Sequence, residues 1–82
     1  MSGFHYVYLI DSLSTPSRRH VGVTAEFAAR LAQHNRGAVR ETAGHGPWKL
    51  RAVVAFRDAE RAAAFERYLR SSAGRAFARR WL

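Results

Sequence analysis

The run from Phe4 to Ile10 constrains this chain more than any other segment, because it is apolar on both faces of an extended backbone. Phe4, Tyr6, Tyr8 and Ile10 fall on one face, and His5, Val7 and Leu9 on the other. Aromatic and β-branched residues suit a strand over about residues 4–11. A strand with one wet face would alternate apolar and polar residues. This one reads as a central strand, covered on both sides. With 82 residues in the chain, the sheet around it must be small.

The remaining elements follow from local signals. Ser12, Ser14, Thr15, Pro16 and Ser17 read as a turn, and residues 18–24 as a second strand closing a hairpin. Thr24 stands where a helix N-cap belongs. Phe27 and Leu31, with Ala28 and Ala32 beside them, predict a helix over 25–35 that Gly37 stops. Residues 37–47 lack a period and read as a loop. Residues 48–56 read as a third strand, with Leu50, Val53, Val54 and Phe56 as its apolar members. Asp58 caps a helix over 59–70 with a stripe of Ala62, Phe65 and Leu69. Ser71 to Gly74 read as a break, and residues 75–81 as a short basic helix. The expected fold is α+β, one domain over residues 1–82: a three-stranded antiparallel sheet flanked by helices, in the order β-β-α-β-α-α. Trp48 and Trp81 are expected in the core.

Charge narrows the function. Fourteen Lys and Arg against six Asp and Glu give a net charge of +8, and Lys49 is the only lysine. A small surface of that sign attracts polyanions by releasing their counterions, and arginine's planar fork suits phosphate. Weak, salt-sensitive binding to nucleic acid without sequence preference is therefore expected. Arg75, Arg79 and Arg80 are candidates for part of that surface; a solvated helix face is the plainer reading of the same three residues. The chain has no cysteine, which excludes disulfides and thiolate metal sites and agrees with a cytoplasmic setting. No apolar run is long enough to span a membrane, and no secretory signal is evident.

Four features occur in order: Tyr6-Val7-Tyr8, His20-Val21-Gly22, Arg30 and Glu66. With Arg30-Leu31, His34-Asn35, Gly37, Pro47-Trp48-Lys49-Leu50, Phe65-Glu66-Arg67-Tyr68-Leu69 and Gly74-Arg75-Ala76-Phe77, the sequence resembles the GIY-YIG nuclease superfamily. Within it, the chain is similar to small stand-alone domains like the endonuclease part of the UvrC repair subunit. Tyr6-Val7-Tyr8 matches the first motif and His20-Val21-Gly22 the second, with His20 where the family has tyrosine.

The resemblance implies a divalent-metal-dependent endonuclease acting on DNA, in repair or recombination. Glu66 would hold one Mg²⁺ or Mn²⁺, since Mg²⁺ keeps several waters and one carboxylate suffices. Arg30 would clamp the phosphate, and Tyr8 would position or deprotonate the attacking water. His20, with an ordinary pKa near 6.5, would be a base matched to neutral pH, so activity should rise through roughly pH 6 to 7. Singly, each residue has a plainer role: Tyr8 as a core aromatic, Arg30 as a solvated charge, Glu66 as the i+4 partner of Arg70. His34 and Asn35 read as residues that close the first helix, and Gly22 as a point of close backbone approach. The alternative to catalysis is an inactive nucleic-acid-binding module of the same fold, which the His20 replacement favours.

Overall fold

The computed structural model describes residues 3–82. Three strands and three helices follow one another as β1 (His5–Ser12), β2 (Arg19–Thr24), α1 (Phe27–Asn35), β3 (Trp48–Phe56), α2 (Ala59–Arg70) and α3 (Ser72–Trp81). The strands form one antiparallel sheet in the order β2-β1-β3, so the doubly apolar β1 is the central strand. The architecture is α+β, with the element order that the sequence predicts.

The alternation along β1 divides the core in two. Val7 and Leu9 pack with Ala62, Leu69 and Ala78 of α2 and α3, and with Val21, Phe56, Phe65 and Phe77. Tyr8 and Ile10 pack with Trp48, Phe27, Leu31 and Leu50, on the side that α1 covers. β3 serves both sides through one irregularity. Leu9 pairs with Ala52 but Ile10 with Leu50, which leaves Arg51 as an extra, bulged residue. Under strict alternation Trp48 and Leu50 would lie on the α2/α3 side with Ala52, Val54 and Phe56. The bulge turns them to the α1 side instead. Arg51 Nε, displaced by the bulge, donates to Asp11 Oδ2 at 2.8 Å. Val53, one of the apolar members of β3, is left exposed.

Three local expectations change. α1 begins at Phe27 and its N-cap residue is Glu26; the Thr24 hydroxyl accepts from the Glu26 N–H one step outside the helix. Its end is a paired turn around Gly37 at φ +76°, where Gly37 N–H reaches the His34 carbonyl and Ala38 N–H the Gln33 carbonyl. The break between α2 and α3 is Ser71 alone, whose hydroxyl accepts from Gly74 N–H, and Gly74 lies inside α3. A Cβ on Gly74 would strike the Tyr68 carbonyl. This glycine serves close packing of α3 on α2, not chain breaking. Trp81 is not in the core: it is 67% exposed, with the Arg80 guanidinium 5.4 Å from its ring centre.

Candidate active site

Tyr8 is the centre of the polar arrangement. It stands on β1 opposite Gly22 of β2, and its ring lies across that strand. A Cβ at position 22 would overlap the Tyr8 hydroxyl and ring, coming within 2.8 Å of Cε1. Gly22 therefore makes room for a side chain, which is more specific than the close backbone approach that the sequence implies. Tyr8 is only 2% exposed, and its hydroxyl is 2.7 Å from His34 Nε2.

The direction of the hydrogen bonds follows from their far end. Thr42 Oγ1 donates to the Val39 carbonyl at 3.4 Å and so accepts from His34 Nδ1 at 2.7 Å. With its proton on Nδ1, His34 presents Nε2 as an acceptor, and the Tyr8 hydroxyl donates to it. His34 is thus not a cap of α1 but an inward-facing residue, buried in the sheet-facing stripe of Phe27, Arg30, Leu31 and His34. Asn35 is the last residue of α1, as expected, but its side chain does not cap the helix. Its Oδ1 accepts from Trp48 N–H at 2.6 Å and fixes the start of β3.

His20 completes a group of three rings. Its centroid is 4.9 Å from that of His34 and 6.2 Å from that of Tyr8. Burial, reinforced by the neighbouring His34 and the Arg70 and Arg30 charges, pushes the His20 pKa down to about 4. The imidazole is therefore neutral through pH 6 to 7, and its titration cannot produce the acid limb expected there. Burial lowers His34 in the same direction, helped by Arg30. Burial raises the Tyr8 pKa against the opposing pull of Arg30 and Arg70, so the resting side chain is a neutral phenol.

Tyr8 and His20, with His34 buried behind them, line a cleft of about 530 Å³ between the hairpin, α1 and the α2–α3 pair. Tyr8, His20, Arg30 and Glu66 all line it, from four different elements, and Arg75 joins them from α3. Arg79 and Arg80 are exposed on α3 and do not reach the cleft wall. Four guanidinium groups, those of Arg19, Arg30, Arg70 and Arg75, face two carboxylates, Glu41 and Glu66. Such a balance favours a phosphate-bearing occupant. Arg30 is held by its own Nη1 donating to Gln33 Oε1 at 3.0 Å, one turn on. Glu66 is 14% exposed and pairs with Arg70 at 2.5 Å, so the plain i+4 pairing exists inside the cleft rather than on an open surface.

The donor set bears on the metal. Among the described residues, no group of three or more His, Asp or Glu is placed to hold an ion. Glu66 would offer one hard oxygen donor to an ion such as Mg²⁺ or Mn²⁺, whose other positions water and substrate oxygens would fill.

Sequence reasoning missed His34 as the partner of Tyr8, and Thr42, Glu41, Arg19 and Arg70 as members of the site. The signal for His34 was present: Phe27, Arg30, Leu31 and His34 have the i, i+3, i+4, i+7 spacing of one helix face. Thr42 lies in a loop without period and carried no such signal. Among the described residues, no helix is long and apolar enough to cross a membrane.

The family model of the GIY-YIG catalytic domain matches residues 4–77. No curated protein matches the chain.

Proposed function

The chain belongs to the GIY-YIG family, a family of nucleases, and on that premise we propose that it is a divalent-metal-dependent endonuclease that hydrolyses DNA phosphodiester bonds. The observation that carries this reading is the buried Tyr8 hydroxyl, tied to His34 in the same cleft as Arg30 and Glu66. A role in repair or recombination, in the cytoplasm, rests on the likeness to UvrC-type domains and on the cysteine-free chain.

Hydrolysis by water needs a proton acceptor, countercharge for the pentavalent phosphate, and support for the leaving oxygen. The Tyr8 oxygen accepts the water proton while its own proton passes to His34 Nε2, and Thr42 holds the imidazole by Nδ1. The exchange never requires a standing phenolate, which the burial of Tyr8 disfavours. His20 is too weak a base for this task at a pKa of about 4; its neutral ring lines the cleft with its centroid 6.2 Å from that of Tyr8. Arg30 donates to the phosphate oxygens as negative charge builds on them. Glu66 would hold the divalent ion, which when bound supplies Lewis-acid charge at the phosphate and the leaving oxygen. Arg75, with Arg79 and Arg80 beyond the cleft, would take neighbouring phosphates of the same strand.

Nicking of supercoiled plasmid in Mg²⁺ or Mn²⁺ tests the reading. The natural chain should nick, and Glu66→Ala should bind the plasmid without nicking it. A natural chain that binds DNA in a salt-dependent way and cuts in neither ion is the inactive binding module.

A further inference from the structure

Glu66 and Arg70 form an ion pair whose partners differ in one respect. The Glu66 side chain is 14% exposed, and that of Arg70 is 60% exposed. A carboxylate so covered needs a countercharge at all times, because its hydration is largely gone. A guanidinium so exposed does not, and can leave its partner at little cost. Arg70 is also held at its station by bonds other than the ion pair. Its Nη2 donates to the Val21 carbonyl of β2 at 3.1 Å, and its own carbonyl accepts from Arg75 Nη1 at 2.7 Å. Both anchors lie at the wall of the cleft, and Arg70 lines it with Glu66.

We propose that Arg70 is a built-in stand-in for the divalent cation: it neutralises Glu66 while the cleft is empty and gives up the carboxylate when the metal enters. The inference rests on Glu66 being the metal-holding residue. Arg70 then acts as a positioning residue. It keeps Glu66 turned to the cleft and the fold intact without metal, at the cost of weaker metal binding. Once released, its guanidinium remains tethered through the α2 backbone beside Arg75, where a phosphate of the substrate can receive it. Because Arg70 stays at the cleft wall, the cleft gains the ion's two positive charges, which the phosphates of the incoming strand offset.

The test is the affinity for Mn²⁺ alone, read from the electron paramagnetic resonance of the free ion, without nucleic acid. The natural chain is compared with Arg70→Gln, Arg70→Lys, Glu66→Gln and Arg19→Gln. Arg70→Gln should bind Mn²⁺ about fivefold more tightly, the scale of one partly exposed ion pair. Arg70→Lys, which keeps the competing charge, should stay near the natural value. Glu66→Gln should lose the site. Arg19→Gln removes another guanidinium from the cleft without touching Glu66, and should have a smaller effect than Arg70→Gln. Unchanged or weaker binding in Arg70→Gln, with Glu66→Gln still losing the ion, overturns the stand-in and leaves Glu66 as the metal residue. Equal tightening in Arg19→Gln also overturns it, since the general field of the cleft then explains the effect. Binding that survives in Glu66→Gln, or is absent from both the natural chain and Arg70→Gln, removes the metal assignment and the inference with it.

Discussion

The two sides of the central strand are built from the same eight residues and do opposite things. Val7 and Leu9 face an apolar layer from α2 and α3, where Ala62, Leu69 and Ala78 are buried and Phe56, Phe65 and Phe77 meet ring to ring. Tyr8, one residue away, faces α1 and a buried chain of polar groups, Tyr8 to His34 to Thr42 to the Val39 carbonyl. No buried side-chain polar atom among the described residues lacks a partner. The apolar side gains its stability from area removed from water and is tolerant of which apolar group supplies it. The polar side is satisfied only in one arrangement, and it costs stability if any member is lost. A chain this small thus backs its buried polar chain, across one strand, with an apolar core whose helix α2 also carries Glu66 into the cleft.

Substitutions on the two sides should separate cleavage from stability. The largest expected effect is on the polar side. Arg30→Ala should lower single-turnover cleavage about 10²- to 10³-fold, the scale of losing one preorganised donor to a developing anion. Its melting temperature should stay close to the natural value, because Arg30 bonds Gln33 and the Tyr8 hydroxyl at the cleft wall and is not part of either core cluster. A parallel drop in stability would show that the two sides are not independent.

Leu69→Ala tests the other side. Leu69 is 2% exposed in the apolar cluster, and its truncation should cost about 3 kcal/mol in chemical denaturation. Leu69 also lines the cleft on the same helix as Glu66, so cleavage per folded molecule should fall, but far less than in Arg30→Ala, at a temperature where the variant is folded.

The smallest effect is the pH response of the polar side. His20 has a folded pKa of about 4, below its ordinary value of 6.5. The unfolded chain therefore binds the proton first as pH falls. Stability should be constant above about pH 6.5 and decline between there and pH 4, by on the order of 2 kcal/mol or less, since the ring retains some solvent contact. His34, lowered in the same direction, adds to the decline. His20→Tyr should flatten part of the slope, which urea titrations across that pH range would measure. An acid limb of cleavage at pH 6 to 7 that vanished in His20→Tyr would contradict the neutral imidazole.

The sequence was most informative where a pattern repeats. The double alternation in β1 located the central strand, and helix spacing located α1 and α2. The β3 bulge could not be read in advance, because it is a register shift that exists only against β1. Trp81 differs from expectation for a related reason: its spacing from Phe77 is a local signal, and whether another element covers it, which none does for most of its surface, is not. The meaning of Gly22 and Gly74 likewise depends on what lies opposite, the Tyr8 ring in one case and the Tyr68 carbonyl in the other. In the cleft, Tyr8, His20, Arg30 and Glu66 were legible as an ordered set. The pairing of Glu66 with Arg70 was legible as a spacing, but not its burial. The His20 pKa was not legible at all, since burial and three neighbouring charges set it.

The account turns on the Tyr8 hydroxyl, and Tyr8→Phe removes that oxygen while leaving the ring that packs over Gly22. The decisive measurement is the single-turnover cleavage rate of a plasmid at saturating Mg²⁺ for the natural chain and Tyr8→Phe, with DNA binding measured on both. The account predicts a loss of about 10²-fold or more in rate, with binding within about twofold. A Tyr8→Phe chain that cuts at the natural rate would mean that water loses its proton elsewhere, and that the Tyr8–His34–Thr42 chain serves only the fold.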